Sequence, residues 1–259
     1  MSSDVRILYD SDTWDAATIT SSSEESDLVD GNVVDDFVGK VWRTTADSAE
    51  WIKFDLGAAA KLTCFSLFGF NLTAAATVTL EANATDSWAT PSYSQALTIA
   101  TDSDAVVLER VVLFLDQTYR WWRLTIADAA NTDTYVQIGR IKAGEYYEPA
   151  RTVTDGVGER ISDPSQGDSP AGTHTHYRER KAYREIAIQF RFALRVQADK
   201  MYAIFRKVGI RTPIVFALDP TNKPSADSMY CHMTGPLPRV KSLVQYYQLG
   251  PLGLMEITE

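Results

Sequence analysis

Two hydrophobic periods run through this chain of 259 residues, and one gives way to the other past its middle. Through residues 1–147, short runs rich in Val, Thr, Phe, Tyr and Trp alternate with Gly, Asp, Asn and Ser clusters, the pattern of a sandwich or barrel. In residues 51–56, Ile52, Phe54 and Leu56 point one way and Lys53 and Asp55 the other, so the run reads as a half-buried strand. Residues 120–126 put Trp122, Leu124 and Ile126 on a core face and Arg123 on the opposite one. Residues 61–70, 75–81, 105–114 and 136–143 read as strands too, and helical periodicity is absent from this half.

Composition then shifts to Pro, Gly, Ser, Asp and Thr over residues 148–180, an extended connection too long for a simple turn. The last 80 residues open on a strand at 182–192, where Ile186, Ile188, Phe190 and Phe192 alternate with Glu185, Ala187, Gln189 and Arg191. A helix follows over 196–208: Met201, Ile204, Phe205 and Val208 recur at helical spacing, the last turn is basic, and Gly209 stands where a helix-ending glycine belongs. Strands at 213–218, 229–233, 241–248 and 254–258 complete a small α+β unit. The expected organisation is thus a β-sandwich at 1–147, a connection at 148–180 and an α+β domain at 181–259.

Charge sharpens this division. The chain carries a net −9, which argues against nucleic-acid specificity because phosphate binding needs a basic footprint. Residues 1–150 hold 23 Asp/Glu against 10 Lys/Arg, and residues 151–259 hold 11 against 15. The halves are about −13 and +4, which suits end-to-end stacking of copies as well as it suits two solvated surfaces of different composition. Cys64 and Cys231 fall in different domains and read as buried thiols. No run reaches the 18 or more apolar residues of a membrane span, and the N-terminus lacks a signal-peptide pattern, so the expectation is a soluble chain made in a cytoplasm, without membrane insertion.

Several separated motifs resemble the discoidin, or factor V/VIII type C, pattern: Asp30-Gly31-Asn32, Val41-Trp42-Arg43-Thr44, the run EWIKFDLG at 50–57 and Arg120-Trp121-Trp122-Arg123-Leu124. The resemblance implies a galactose-binding-like jelly-roll sandwich over half the chain. The start VRILYDSDTWDAATIT, the segments SLFGFNLTAAATVTLEA and YVQIGRIKAGEYYEPA, and the later REIAIQFRFALRVQADKMYAIFRKVGIRTPIVFALDP resemble distal tail or tail-tip proteins of bacteriophages. That resemblance implies a structural component of the virion tail, made in the host bacterial cytoplasm. Its tail-tube-like α+β unit would join a homo-oligomeric ring, a hexamer favoured over a trimer, next to tail tube and tail hub proteins. The sandwich would face outward, as a spacer or as a contact to a host surface glycan; the alternative is a free carbohydrate-binding module recognising cell-surface glycans.

Candidate site residues follow from these implications. Exposed aromatics at loop ends stack on sugar rings: Trp88 with Tyr93 in the polar loop ATDSWATPSYS, and Trp14, are the candidates, while Trp42 reads as core. Asp30, Asp35 and Asp36 supply the oxygen ligands that Ca²⁺ prefers, although a solvated acidic turn has the same composition and the spacing matches no dedicated calcium loop. His174 and His176 form an H-x-H pair, the kind that binds iron at the axis of some trimeric phage spikes, yet two ligands close no site without symmetry. His174, Tyr177, Arg178, Arg180 and Arg184 are the candidate contacts between copies. No cofactor is implied otherwise. Neither G-x-S-x-G, H-E-x-x-H, a phosphate-cradling glycine loop nor G-x-G-x-x-G occurs, and three His leave few general bases, so the expectation is a chain without catalytic activity.

Overall fold

The computed structural model describes residues 5–150, 157–168, 176–241 and 246–258. Its strands, in chain order, are β1 (Arg6–Asp10), β2 (Thr18–Ser21), β3 (Trp42–Arg43), β4 (Glu50–Phe70), β5 (Thr77–Asn83), β6 (Tyr93–Leu97), β7 (Arg110–Ala127) and β8 (Gln137–Tyr147). Then come β9 (Val157–Ser162), β10 (Gln166–Asp168), β11 (His176–Arg178), β12 (Tyr183–Leu194), β13 (Ile214–Ala217), β14 (Ser228–Met233), β15 (Arg239–Lys241) and β16 (Tyr246–Glu256). A short helix α1 (Asp12–Asp15), a 3-10 turn (Asp30–Val34) and a helix α2 (Arg195–Val208) complete the set. The chain is mainly β, as its alternation implies, and the paired strands are antiparallel.

Two compact units divide the chain, one of Asp4–Glu148 with Val215–Ser228, the other of Met1–Ser3, Pro149–Ile214 and Met229–Glu259. The boundary after 148 lies where the composition changes. The return of 215–228 to the first unit is not visible in the sequence: Leu8 pairs with Val215 and Ile7 with Phe216, and Arg110 donates to the Ser225 carbonyl at 2.9 Å.

In the first unit, the runs at 51–56 and 61–70 join into the single strand β4, and that at 120–126 joins residues 110–114 in β7, while 105–109 of the expected run lie outside the strand. Each long strand serves two halves of one continuous sheet. The first half of β4, with Ile52 opposite Leu124 and Phe54 opposite Trp122, carries β2 on one side and the far half of β7, β5 and β6 on the other. Its second half, with Phe65 opposite Leu113, carries β8 and then β1 and β13. The register with β7 shifts between Asp55 and Ala60, at Gly57, whose φ of 75° is one that side chains resist. The core packs Ile52, Phe54, Leu80, Trp122 and Leu124 of the first half with Phe65, Leu67, Val111 and Ile141 of the second, all almost wholly buried. Burying one such side chain contributes about 1.5–3 kcal/mol.

In the second unit, β12 lies between β9 and β16, and β16 also pairs with β14 and β15. The amphipathic α2 lays Ala198, Met201, Ile204 and Val208 against this sheet and ends on Gly209, whose N–H donates to the Phe205 carbonyl. Part of the stretch expected as plain connection is strand: β9 extends the sheet, and β10 and β11 form a ribbon of their own.

Candidate functional site

The chain has six tryptophans, and the first unit holds them all. Trp14, Trp42 and Trp122 are core, exposed by 1%, 0% and 0%. Trp51, Trp88 and Trp121 are only half-buried. Strand parity separates Trp121 from its neighbour Trp122: Trp122 shares the inner face with Leu124 and Ile126, and Trp121 shares the outer face with Arg123. Likewise Trp51 stands beside Lys53 and Asp55, opposite in direction to Ile52 and Phe54.

On that outer face the cross-strand rows run Trp51–Thr125–Thr79, Lys53–Arg123–Glu81 and Asp55–Trp121–Asn83 over β4, β7 and β5. The Lys53 ammonium lies 5.1 Å from the centre of the Trp51 ring and 6.0 Å from that of Trp121, and pairs with Asp86 at 3.0 Å. The Arg123 guanidinium lies 4.5 Å from the Trp88 ring centre and pairs with Glu81 at 2.7 Å. Arg120 pairs with Asp55 at 2.6 Å and lies 5.4 Å from the Trp121 ring. Trp88 donates its indole N–H to Asp86 at 2.5 Å. That hydrogen bond, then the Lys53 ammonium, holds the Asp86 carboxyl below the usual carboxylate range. Three indoles therefore stand over a lattice of three cation–carboxylate pairs, with the Lys53 and Arg123 side chains only 18% and 19% exposed beneath them.

The sequence-predicted residues fare differently. Trp88 stands on this face, but Tyr93 does not join it: Tyr93 is paired with Ala82 on the row of Trp122, and its ring meets Trp122 edge-on at 6.1 Å on the inner face. Burial accordingly pushes the Tyr93 hydroxyl pKa up. Trp14 is a correction. Carried by α1, it stacks on Phe54 at 4.2 Å and meets Phe65 edge-on, so it offers no face to a sugar. Trp42 is core as expected, its indole donating to the Ser23 carbonyl at 3.0 Å.

Asp30, Asp35 and Asp36 do not converge. Asp30 accepts from the Ser21 hydroxyl, Asp35 pairs with Lys40 at 2.6 Å, which holds its carboxyl below the usual range, and Asp36 faces Arg140 at 3.4 Å. No group of three or more His, Cys, Asp or Glu among the described residues is placed to hold a metal ion. Arg140 and Lys142 are instead a buried cationic pair: Arg140 reaches Asp15 at 2.8 Å, and Lys142 donates to the Ser11 hydroxyl at 2.8 Å. Burial, and then the nearby Arg140 charge, push the Lys142 pKa down.

Of the second unit's candidates, His174 lies outside the described residues, and the backbone of His176 and Tyr177 belongs to β11. Arg178 and Arg180 are exposed. Arg184 pairs with Glu256 at 2.9 Å and keeps 17% of its side chain exposed. Both cysteines are free and buried, which pushes their thiol pKa values up. No helix among the described residues is long and apolar enough to cross a membrane.

No protein-family model and no curated protein matches the chain. Solved structures do show similarity over about half of it. A fucose binding module of Streptococcus pneumoniae aligns at 14% identity over 51% of this chain and 96% of its own, with a TM-score of 0.40. The family 32 carbohydrate-binding module of C. perfringens NanJ, in complex with galactose, aligns at 13% over 55% and 99%, with a TM-score of 0.39. The lectin domain of lectinolysin, complexed with Lewis B antigen, aligns at 12% over 50% and 93%, with a TM-score of 0.40.

Proposed function

We propose that the chain is a binding protein without catalytic activity whose sandwich unit recognises a glycan through its outer sheet face. One observation carries this: Trp88 presents a half-buried indole fixed by a hydrogen bond from its N–H to Asp86 and by the Arg123 guanidinium against its ring. A fixed aromatic plane beside a carboxylate and a guanidinium is what a pyranose needs, a surface for its C–H face and paired acceptor and donor for its hydroxyls. The test is a glycan array probed with the wild-type chain and Trp88→Ala. Binding lost in the variant, with its melting temperature unchanged, supports the reading; binding that survives the substitution sinks this site.

A second reading, a structural component of a phage tail tip, is favoured by a different observation. The second unit exposes large apolar side chains, Val196 at 79%, Ile161 at 75%, Val240 and Ile210 at 58% each, which are surfaces suited to burial between copies. In that reading the unit builds a ring of six copies, with tail tube and hub proteins as neighbours and the sandwich displayed outward. The two readings are compatible. Light scattering of the purified chain tests the second: assembly into closed oligomers that Val196→Asp and Ile161→Asp abolish supports it, and a monomer at high concentration, together with its absence from virions, removes it.

A further inference from the structure

The glycan-binding reading leaves two tryptophans on the same face without a task. Trp51 and Trp121 are half-buried on the side of the sheet turned away from the core. Trp51 is opposite Thr125, and Trp121 is opposite Asp55, so their backbones are offset by four residues along the sheet, while their ring centres, 5.1 and 6.0 Å from the Lys53 ammonium, lie no more than about 11 Å apart. The indoles are not scattered along the sheet. Trp51 and Trp121 flank the Lys53 ammonium, and Trp88 reaches the same ammonium through Asp86, which bonds both.

Charge selects among possible occupants. The face carries Lys53, Arg120 and Arg123 against Asp55, Glu81 and Asp86, each cation in contact with a carboxylate. It is balanced, so neither an acidic nor a basic ligand gains a net Coulombic attraction. It is also poor in the aliphatic side chains that fill the centre of a protein interface. The exposed large hydrophobic residues of this unit, Phe37 and Val106, belong to loops outside β4, β5 and β7. Aromatic planes over pre-paired donors and acceptors, without aliphatic filler and without net charge, match a chain of neutral sugars.

Resting on the glycan-binding reading and extending it, we propose that Trp51, Trp88 and Trp121 form one platform for an electrically neutral oligosaccharide of at least two to three units. Trp88 takes one sugar, and Trp51 and Trp121 add stacking surface for its neighbours.

The experiment titrates the full chain with mono-, di-, tri- and tetrasaccharides built from galactose, glucose, mannose or N-acetylglucosamine, and with uronic-acid oligomers of the same lengths. Affinity should rise at least ~10-fold from mono- to trisaccharide, and Trp51→Ala and Trp121→Ala should each reduce trisaccharide affinity by about 5-fold or more while leaving monosaccharide binding in place. Trp51→Phe and Trp121→Phe should restore much of it, and melting curves confirm that the variants fold. Affinity that does not change with length and depends on Trp88 alone overturns the platform while leaving glycan binding intact. A preference for the uronic-acid oligomers overturns the neutral class. If neither these sugars nor any glycan on an array binds, the glycan-binding reading falls together with the platform.

Discussion

The two faces of one sheet use the same amino acid for opposite purposes. Inside, Trp122 is sealed between Tyr93 and Tyr119, both edge-on at about 6 Å, and has no exposure. Outside, its chain neighbour Trp121 borders Lys53 and Arg120 and keeps part of its ring in solvent. The lesson is that an indole's role here is set by strand parity rather than by residue type. A one-residue shift of β7 would exchange the core for the binding face.

Substitutions that strike one face and spare the other test this division. The largest effect belongs to Trp122→Ala, which empties a fully buried site: unfolding free energy should fall by about 3–5 kcal/mol, read by denaturant titration, with binding lost through unfolding. Next comes Trp88→Ala, expected to weaken glycan binding by about 10-fold while changing stability by less than ~0.5 kcal/mol, the reverse profile. If both variants lose stability alike, the two faces are not distinct.

A smaller effect is one of pH. The Asp86 carboxyl is held below its ordinary value of 3.8 by the Trp88 N–H and by Lys53. A depressed carboxylate contributes its interaction fully above the unfolded value and loses it as pH falls through the lower folded one. Glycan affinity should therefore be flat from about pH 5 to 8 and fall only at pH below the ordinary value of 3.8, and Asp86→Asn should remove that acid limb. The smallest effect is that of Tyr93→Phe, where the ring that meets Trp122 is kept: binding should be unchanged and stability shifted by less than ~0.5 kcal/mol. A loss of binding there would return Tyr93 to the site.

Much of this was legible in the chain. The alternation through 51–56 and 120–126 reads out the inner faces correctly, and the helix ending at Gly209 is signalled by its apolar spacing and its glycine. The same parity puts Trp51 in phase with Lys53 and Trp121 in phase with Arg123, but parity alone does not say which outward aromatics are brought together. Other features left no local signal. α1 is too short to show a period, so nothing in the sequence marked Trp14 as buried. The fusion of paired runs into β4 and β7 is hidden by turn-like residues, Gly57 among them, that the bulge absorbs. The pairing of β1 with β13 joins residues roughly two hundred positions apart and follows from the assembled fold alone.

The most direct test of the central claim follows the six indole N–H signals by nitrogen-15 NMR while a neutral trisaccharide is titrated into the full chain. The account predicts that the signals of Trp51, Trp88 and Trp121 shift in a saturable way while those of Trp14, Trp42 and Trp122 stay in place. Saturable binding that leaves the three outer signals still, or moves the inner three instead, would contradict it.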